Sequence, residues 1–252
     1  VFAHDGTIKD QLSAQAEQAV AANPPFAAVI DRICTTAAAS RSVPDPFRPQ
    51  EALALLLGTL DANGEAKWQP AADVEVDEGV KLVSLRRSGT YAEGGQRWSY
   101  ILTGSRDPAC EAHACSGGAI GGALFRFDQG KWVLASHAPA ILVNGGYGRS
   151  VDADAIRDLH AVGQMPLVRI DSGYCHNGGY CGSSTSLVSV VDGRLKEVMA
   201  SEMGYDTTTS SECEEFARCS DWHTDLKLLA SREGGLPGVE LTRSGRVWDE
   251  DK

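Results

Sequence analysis

Seven cysteines (Cys34, Cys110, Cys115, Cys175, Cys181, Cys213 and Cys219) carry the most distinctive chemistry in this chain of 252 residues. Six of them form close pairs: Cys110 with Cys115, Cys175 with Cys181, and Cys213 with Cys219. Such clustering is rare in a reducing cytosol and is the pattern of local disulfides made in an oxidising compartment. Each small ring adds on the order of 2 kcal/mol by restricting the unfolded chain. The rival chemistry is metal ligation, since His113 lies inside the first pair and His176 inside the second. Structural zinc usually takes cysteines with two to four residues between them. Only the first pair has that spacing, so disulfides are the favoured reading. Positions six apart in a regular helix are separated by about 9 Å, too far for a bridge. A Cys213–Cys219 bond therefore predicts a turn or broken helix. Cys34, with no near partner, reads as a buried small apolar residue.

Other reactive groups form no recognised catalytic pattern. The histidines His4, His113, His137, His160, His176 and His223 make neither His-x3-His nor His-Glu-x2-His. Gly117–Gly122 lacks the Lys-Ser/Thr that follows a phosphate-cradling loop, and reads as a strand or corner in close packing. There is no Gly-x-Ser-x-Gly nucleophile turn. Asp152, Asp154 and Asp158 alternate in a way that suggests calcium, but the Gly and Glu of an EF-hand loop are missing. They are the weak metal candidates of the chain, and neither metal nor cofactor is expected. An enzyme reading, an envelope hydrolase, would draw on His113, His137, His176 and the Asp152–Asp158 cluster.

Binding chemistry is better represented. Asn-Gly-Gly-Tyr occurs twice, at Asn144–Tyr147 and Asn177–Tyr180, and Gly-Tyr recurs at Tyr174 and Tyr205. The plain explanation is that glycine supplies positive φ at sheet corners and tyrosine packs beside it. The sharper one is a contact surface. Tyr, Ser, Gly and Asn on loops compose protein-binding paratopes, where tyrosine offers large area at small entropic cost. A Cys175–Cys181 ring would pre-organise such a loop and lower the cost of binding. Tyr147, Tyr174 and Tyr180, supported by Asn144 and Asn177, are the expected partner-binding residues.

The elements that must position these residues change character along the chain. Residues 7–22 and 26–39 have apolar residues at helical spacing, and Asn23-Pro24-Pro25 separates them. Residues 41–49 are Pro-rich loop, and residues 51–60 lean towards helix. Beyond about residue 65 the period becomes that of strands. Two hairpins stand out: one turns at Asp128-Gln129-Gly130 and the other at Asp192-Gly193. They resemble one another and form a weak internal repeat. A third hairpin is expected over residues 238–248, around Ser244-Gly245. The expected fold is mainly β with a short α-helical N-terminal segment: residues 1–63 helical, packed on an antiparallel β domain of residues 64–252, whose hairpin meander forms a sandwich or propeller-like array.

Charge narrows the function classes. Lys and Arg total 23 against 34 Asp and Glu, a net charge of −11. That balance excludes a nucleic-acid footprint, which must be basic, and disfavours anionic membranes. No apolar run is long enough for a transmembrane segment. An acidic field favours a basic partner.

Cys110-x2-His113-x-Cys115, an apolar strand ending in Phe125, Gly130-Lys131-Trp132 and the Gly145-x-x-Gly148 turn resemble an uncharacterised group of exported bacterial β-rich proteins. The resemblance implies export and carries no activity. Ser88-Gly89-Thr90-Tyr91 is similar to the Ser-Gly-x-x-Tyr loop of bacterial lysozyme inhibitors, with the tyrosine one residue early; a hairpin corner is the simpler reading. Together these features lead to one expectation: an exported, periplasmic or extracellular, disulfide-bonded protein that binds a basic protein, as an inhibitor or immunity protein plugging an enzyme or toxin. The other readings are the envelope hydrolase and a small-ligand-binding or structural envelope protein.

Overall fold

The computed structural model describes residues 42–110, 115–160, 164–176, 179–210, 213, 219–230 and 236–246. The helices expected at 7–22 and 26–39, Cys34, His4, His113 and Asn177 lie outside the described residues. The chain divides into two compact units, Val1–Ser42 and Val43–Lys252, and all that follows concerns the second.

The fold is mainly β: two antiparallel six-stranded sheets in a sandwich-like arrangement, with one short α-helix among the described residues. The first sheet contains β1 (Ser42–Pro44), β2 (Ala66–Trp68), β3 (Lys81–Glu93), β4 (Gln96–Arg106), β5 (Gly118–Asp128) and β6 (Lys131–Asn144), in the order β1-β6-β5-β4-β3-β2. The second contains β7 (Ile156–Asp158), β8 (Leu167–His176), β9 (Tyr180–Val191), β10 (Arg194–Asp206), β11 (Asp221–Leu228) and β12 (Val239–Arg246), in sequence order. From β2 to β6 and from β7 to β12 each strand pairs with the next in sequence, and β3–β4, β5–β6 and β9–β10 are joined by two-residue turns.

Turn chemistry fixes the hairpins. Gln129-Gly130, with φ of 46° and 81°, and Asp192-Gly193, with 52° and 68°, have positive φ at both central positions. Such turns match the twist of the strands they join. The two hairpins read from the sequence fall here, one in each sheet. Gly94-Gly95, at 57° and 77°, turns β3 into β4 in the same way. That turn lies beyond Ser88–Tyr91, which is not a loop or corner but the interior of β3. The likeness to the lysozyme-inhibitor loop therefore fails at the level of backbone. The third expected hairpin is also absent: Ser244-Gly245 sits within β12, which pairs along its length with β11. Gly245, at φ 114°, is required by the close approach of Asp221 O rather than by a turn.

Alternation on the central strands explains how one sheet serves two cores. On β4, Tyr100 and Leu102 face the second sheet with Ile120, Leu124, Ile156, Val168, Ile170 and Val188. Ile101, between them, faces the other way with Ala123, Phe125 and Trp132. Both faces are covered, so β4 is buried from Ser99 to Ser105 and β5 from Gly118 to Phe125, where its sequence is all small or apolar. The outward core is capped by α1 (Pro49–Leu57), which buries Ala52 and Leu53. Pro49 suits the first helical turn, where no donor is lost. Each fully buried Leu or Phe contributes about 2 kcal/mol of apolar transfer. Gly122 of β5 lets Leu195 of the second sheet approach closely, a Cβ there meeting Leu195 Cδ1 at 2.8 Å.

Candidate binding surface at the disulfide-bearing end

All three expected disulfides form: Cys110–Cys115, Cys175–Cys181 and Cys213–Cys219. They fit an exported, non-cytoplasmic protein. Among the described residues no helix is long and apolar enough to cross a membrane.

The bridges lie in or beside three connections, β4–β5, β8–β9 and β10–β11, which a chain of contacts joins at one end of this unit. Gly148 lies against the first disulfide, where a Cβ would meet Cys110 Cβ at 2.6 Å. Its N–H donates to Ser116 O at 2.8 Å, and its carbonyl accepts from Asp107 N at 2.6 Å. Gly145 N donates to Ser172 Oγ at 3.3 Å, linking this loop to β8. The Cys175–Cys181 bridge closes the β8–β9 hairpin between directly opposed residues. Thr209 Oγ1 reaches Gly179 O at 3.4 Å, and Ser210 O accepts from Cys213 N at 3.1 Å, completing the path to the third bridge.

Two of the expected tyrosines crown this end. Tyr174 is 54% exposed and Tyr147 49%, the highest values among the described large apolar and aromatic side chains. Each lies two residues from the Gly145–Ser172 hydrogen bond. Tyr147 and Gly148 are the central residues of a turn closed by reciprocal bonds between Gly146 and Arg149, at 3.2 and 3.1 Å. Their φ angles are 55° and 70°. The left-handed region costs an L-residue roughly 1–2 kcal/mol, and a bulky side chain there is an outlier that points to function. Gly, Asn or Asp would fit the turn more cheaply, yet the position holds a half-exposed tyrosine.

Tyr174 is held differently. It opposes Gly182 on β9, and its ring covers that glycine, a Cβ on which would meet the ring at 2.6 Å. The same row runs on through Tyr205, Trp222 and Gly245, so Tyr174, Tyr205 and Trp222 project from one face of the sheet. Arg243 stacks over Trp222 at 3.9 Å. Trp222 and the role of Tyr205 escape a reading of the sequence that does not see β11. An open depression of 360 Å3 follows this end of the sheet between Gly173 and Trp222, with Asp206 at its border. Hydrogen bonds from the Thr208 hydroxyl and backbone N–H hold the Asp206 carboxyl below its ordinary range.

The remaining expected residues take lesser parts. Tyr180 opens β9 opposite His176 and is half-buried. Asn144 ends β6, its Oδ1 accepting from Val151 N at 3.5 Å. The acidic triplet does not gather. Asp152 and Asp154 belong to the short turn preceding β7. Asp158 lies in β7, bound to Arg87 and to Tyr100. No three of His, Cys, Asp and Glu among the described residues gather so as to hold a metal ion. His137 lies on β6 of the first sheet, and His160 Nδ1 meets Leu167 N at 3.1 Å. His223 Nε2 lies 3.0 Å from Ser244 Oγ on the exposed β11–β12 pair.

Comparison with protein-family models, with curated proteins and with solved structures finds no match to this chain.

Proposed function

We propose that this is an exported binding protein, periplasmic or extracellular, whose disulfide-bearing end is the contact surface for a basic protein partner. Tyr147 and Tyr174 are its anchors. The observation that carries this reading is Tyr147: a half-exposed aromatic kept in a strained turn braced against a disulfide loop. The turn holds a half-exposed ring on a fixed backbone, and a rigid aromatic so held binds with little entropy left to lose. The net charge of −11 steers basic partners towards the molecule. Plugging the cleft of an enzyme or toxin is the form of binding that a protruding rigid turn best suits.

The test is affinity capture from the source organism's envelope and secreted fractions, at low and high salt. Wild-type protein is compared with the Tyr147→Ala/Tyr174→Ala/Tyr180→Ala variant. A stoichiometric basic protein, retained by the wild type, released by salt and lost on the variant, supports the reading. Equal retention on both sinks it.

A further inference from the structure

The open edge of β8 is a second feature of this end. β7 pairs with β8 only through Val168, Arg169 and Ile170. β8 continues to His176, paired with β9 on its other side. The Cα atoms of Cys175 and Cys181 are 4.1 Å apart, the spacing of a non-hydrogen-bonded antiparallel pair. The N–H and C=O of Cys175 therefore point away from β9, and those of Gly173, two residues earlier, do the same. No backbone hydrogen bond of these groups to another described residue lies on that side, and Gly173, Tyr174 and Cys175 are all exposed.

The other open edges are guarded. β12 carries exposed Glu240, Arg243 and Arg246 along its length. β3, beyond its pairing with β2, is broken by a bulge at Arg86. β6 contains Pro139 and two breaks in register. Charges, proline and bulges are the devices that keep a sheet edge from pairing. The upper edge of β8 has none: Gly173 and Cys175 are uncharged, and Asp171 is neutralised by Arg169 Nε at 2.7 Å.

We infer that this edge is where the partner docks, by adding an extended segment of its own chain to β8 alongside Gly173 and Cys175. The main-chain groups of those residues pair with the incoming strand, and its side chain opposite Tyr174 lies across the exposed phenol ring. This is strand addition, in which backbone bonds give affinity and alternate side chains give specificity. The net charge of −11 selects a basic segment, and a Lys or Arg opposite Tyr174 gains a cation–π contact. The Cys175–Cys181 bridge holds the template strand in place before binding. The inference rests on the proposed contact surface and specifies how it is used.

A displayed library of linear peptides panned on the oxidised protein supplies the probe. The strongest selected peptide is then measured against wild type and Gly173→Pro, with amide exchange of the wild type followed free and bound. Proline at 173 removes a donor facing the open edge and none facing β9. The expected result is protection of the Gly173 and Cys175 amides by the peptide, with affinity reduced about tenfold or more in Gly173→Pro. Failure of any linear peptide to bind more tightly than about 100 μM overturns the proposal, as does protection confined to other residues. The wild-type exchange result stands even if Gly173→Pro misfolds. A captured partner retained by a folded Gly173→Pro but lost on Tyr147→Ala/Tyr174→Ala overturns strand addition and leaves the contact surface intact. Retention on both variants overturns both.

Discussion

Tyr100 donates its phenolic hydrogen to Asp158 Oδ1 at 2.8 Å, joining β4 of the first sheet to β7 of the second. Arg87 of β3 completes the link from Nε, 2.8 Å from Asp158 Oδ2, and from Nη2. Tyr100 is 1% exposed, so loss of Asp158 takes the charged acceptor from a buried hydroxyl. Burial, and then the bond to Asp158, push the phenol above its ordinary range. Burial also pulls the Asp158 carboxyl upward, but the bonds from Arg87 and Tyr100 outweigh it and leave the group below its usual value.

Asp158 is therefore expected to couple the sandwich to pH. A carboxyl titrating below its ordinary value gives a contribution that is complete above about pH 4 and is lost as pH falls through the folded value. Asp158→Asn should lower stability near neutrality by about 2 kcal/mol, since it removes a charged acceptor from a buried hydroxyl. It should also shrink the stability difference between neutral pH and about pH 3. Urea unfolding at the two pH values measures both effects. An unchanged difference would show that Asp158 is not a source of the acid sensitivity.

Glycines beneath tyrosines give a graded test of packing. A Cβ at Gly89 or at Gly182 would meet a tyrosine ring at 2.6 Å, but Tyr100 is enclosed by the second sheet and Tyr174 is exposed. Gly89→Ala should cost about 2–3 kcal/mol, because the buried ring has nowhere to move. Gly182→Ala should cost less than about 1 kcal/mol, because Tyr174 can swing outward. Gly173→Ala, whose Cβ meets only Gly182 O at 3.5 Å, should be close to neutral. Thermal unfolding of the three variants would expose a different order at once.

The strain at Tyr147 predicts opposite effects on stability and on binding. Tyr147→Asn suits a left-handed turn position and should stabilise the fold by about 1 kcal/mol. The same change should weaken partner retention, as expected where function opposes stability. A variant that is less stable than wild type would mean that Tyr147 is kept for packing.

Removal of the hairpin bridge by Cys175→Ala/Cys181→Ala should lower stability by about 2 kcal/mol through the freed unfolded chain. It should also speed amide exchange at Ser172 and Tyr174, whose N–H groups face β9, relative to β4, which the bridge does not touch. Unchanged exchange at these residues would mean that β9 alone holds the edge.

How much of the fold is legible in the sequence follows from how local each signal is. Gln129-Gly130 and Asp192-Gly193 announce their turns because positive φ is demanded within two residues. The cysteine pairs announce their bridges because the rings are short. Ser244-Gly245 misled because a glycine required by a neighbouring strand looks the same as one required by a turn. β11 alternates Trp222, Thr224, Leu226 and Leu228 against charged and polar neighbours, a legible pattern obscured by the false hairpin beside it. Tyr147 and Tyr174 were legible as surface residues from their company of Gly, Asn and Cys. The open edge of β8 was not, since it depends on β7 stopping at Ile156 opposite Ile170. The Tyr100–Asp158 link was hidden for a similar reason: 58 residues separate the partners.

The most direct measurement is the affinity of the captured partner, once isolated, for wild type and for the Tyr147→Ala/Tyr174→Ala/Tyr180→Ala variant, with thermal unfolding run in parallel. A loss of about a hundredfold, the scale of two or more aromatic anchors, with an unfolding midpoint close to that of wild type, is the expected result. Affinity within about twofold of wild type, a difference well under 1 kcal/mol, in an equally folded variant would contradict the assignment of this end as the contact surface.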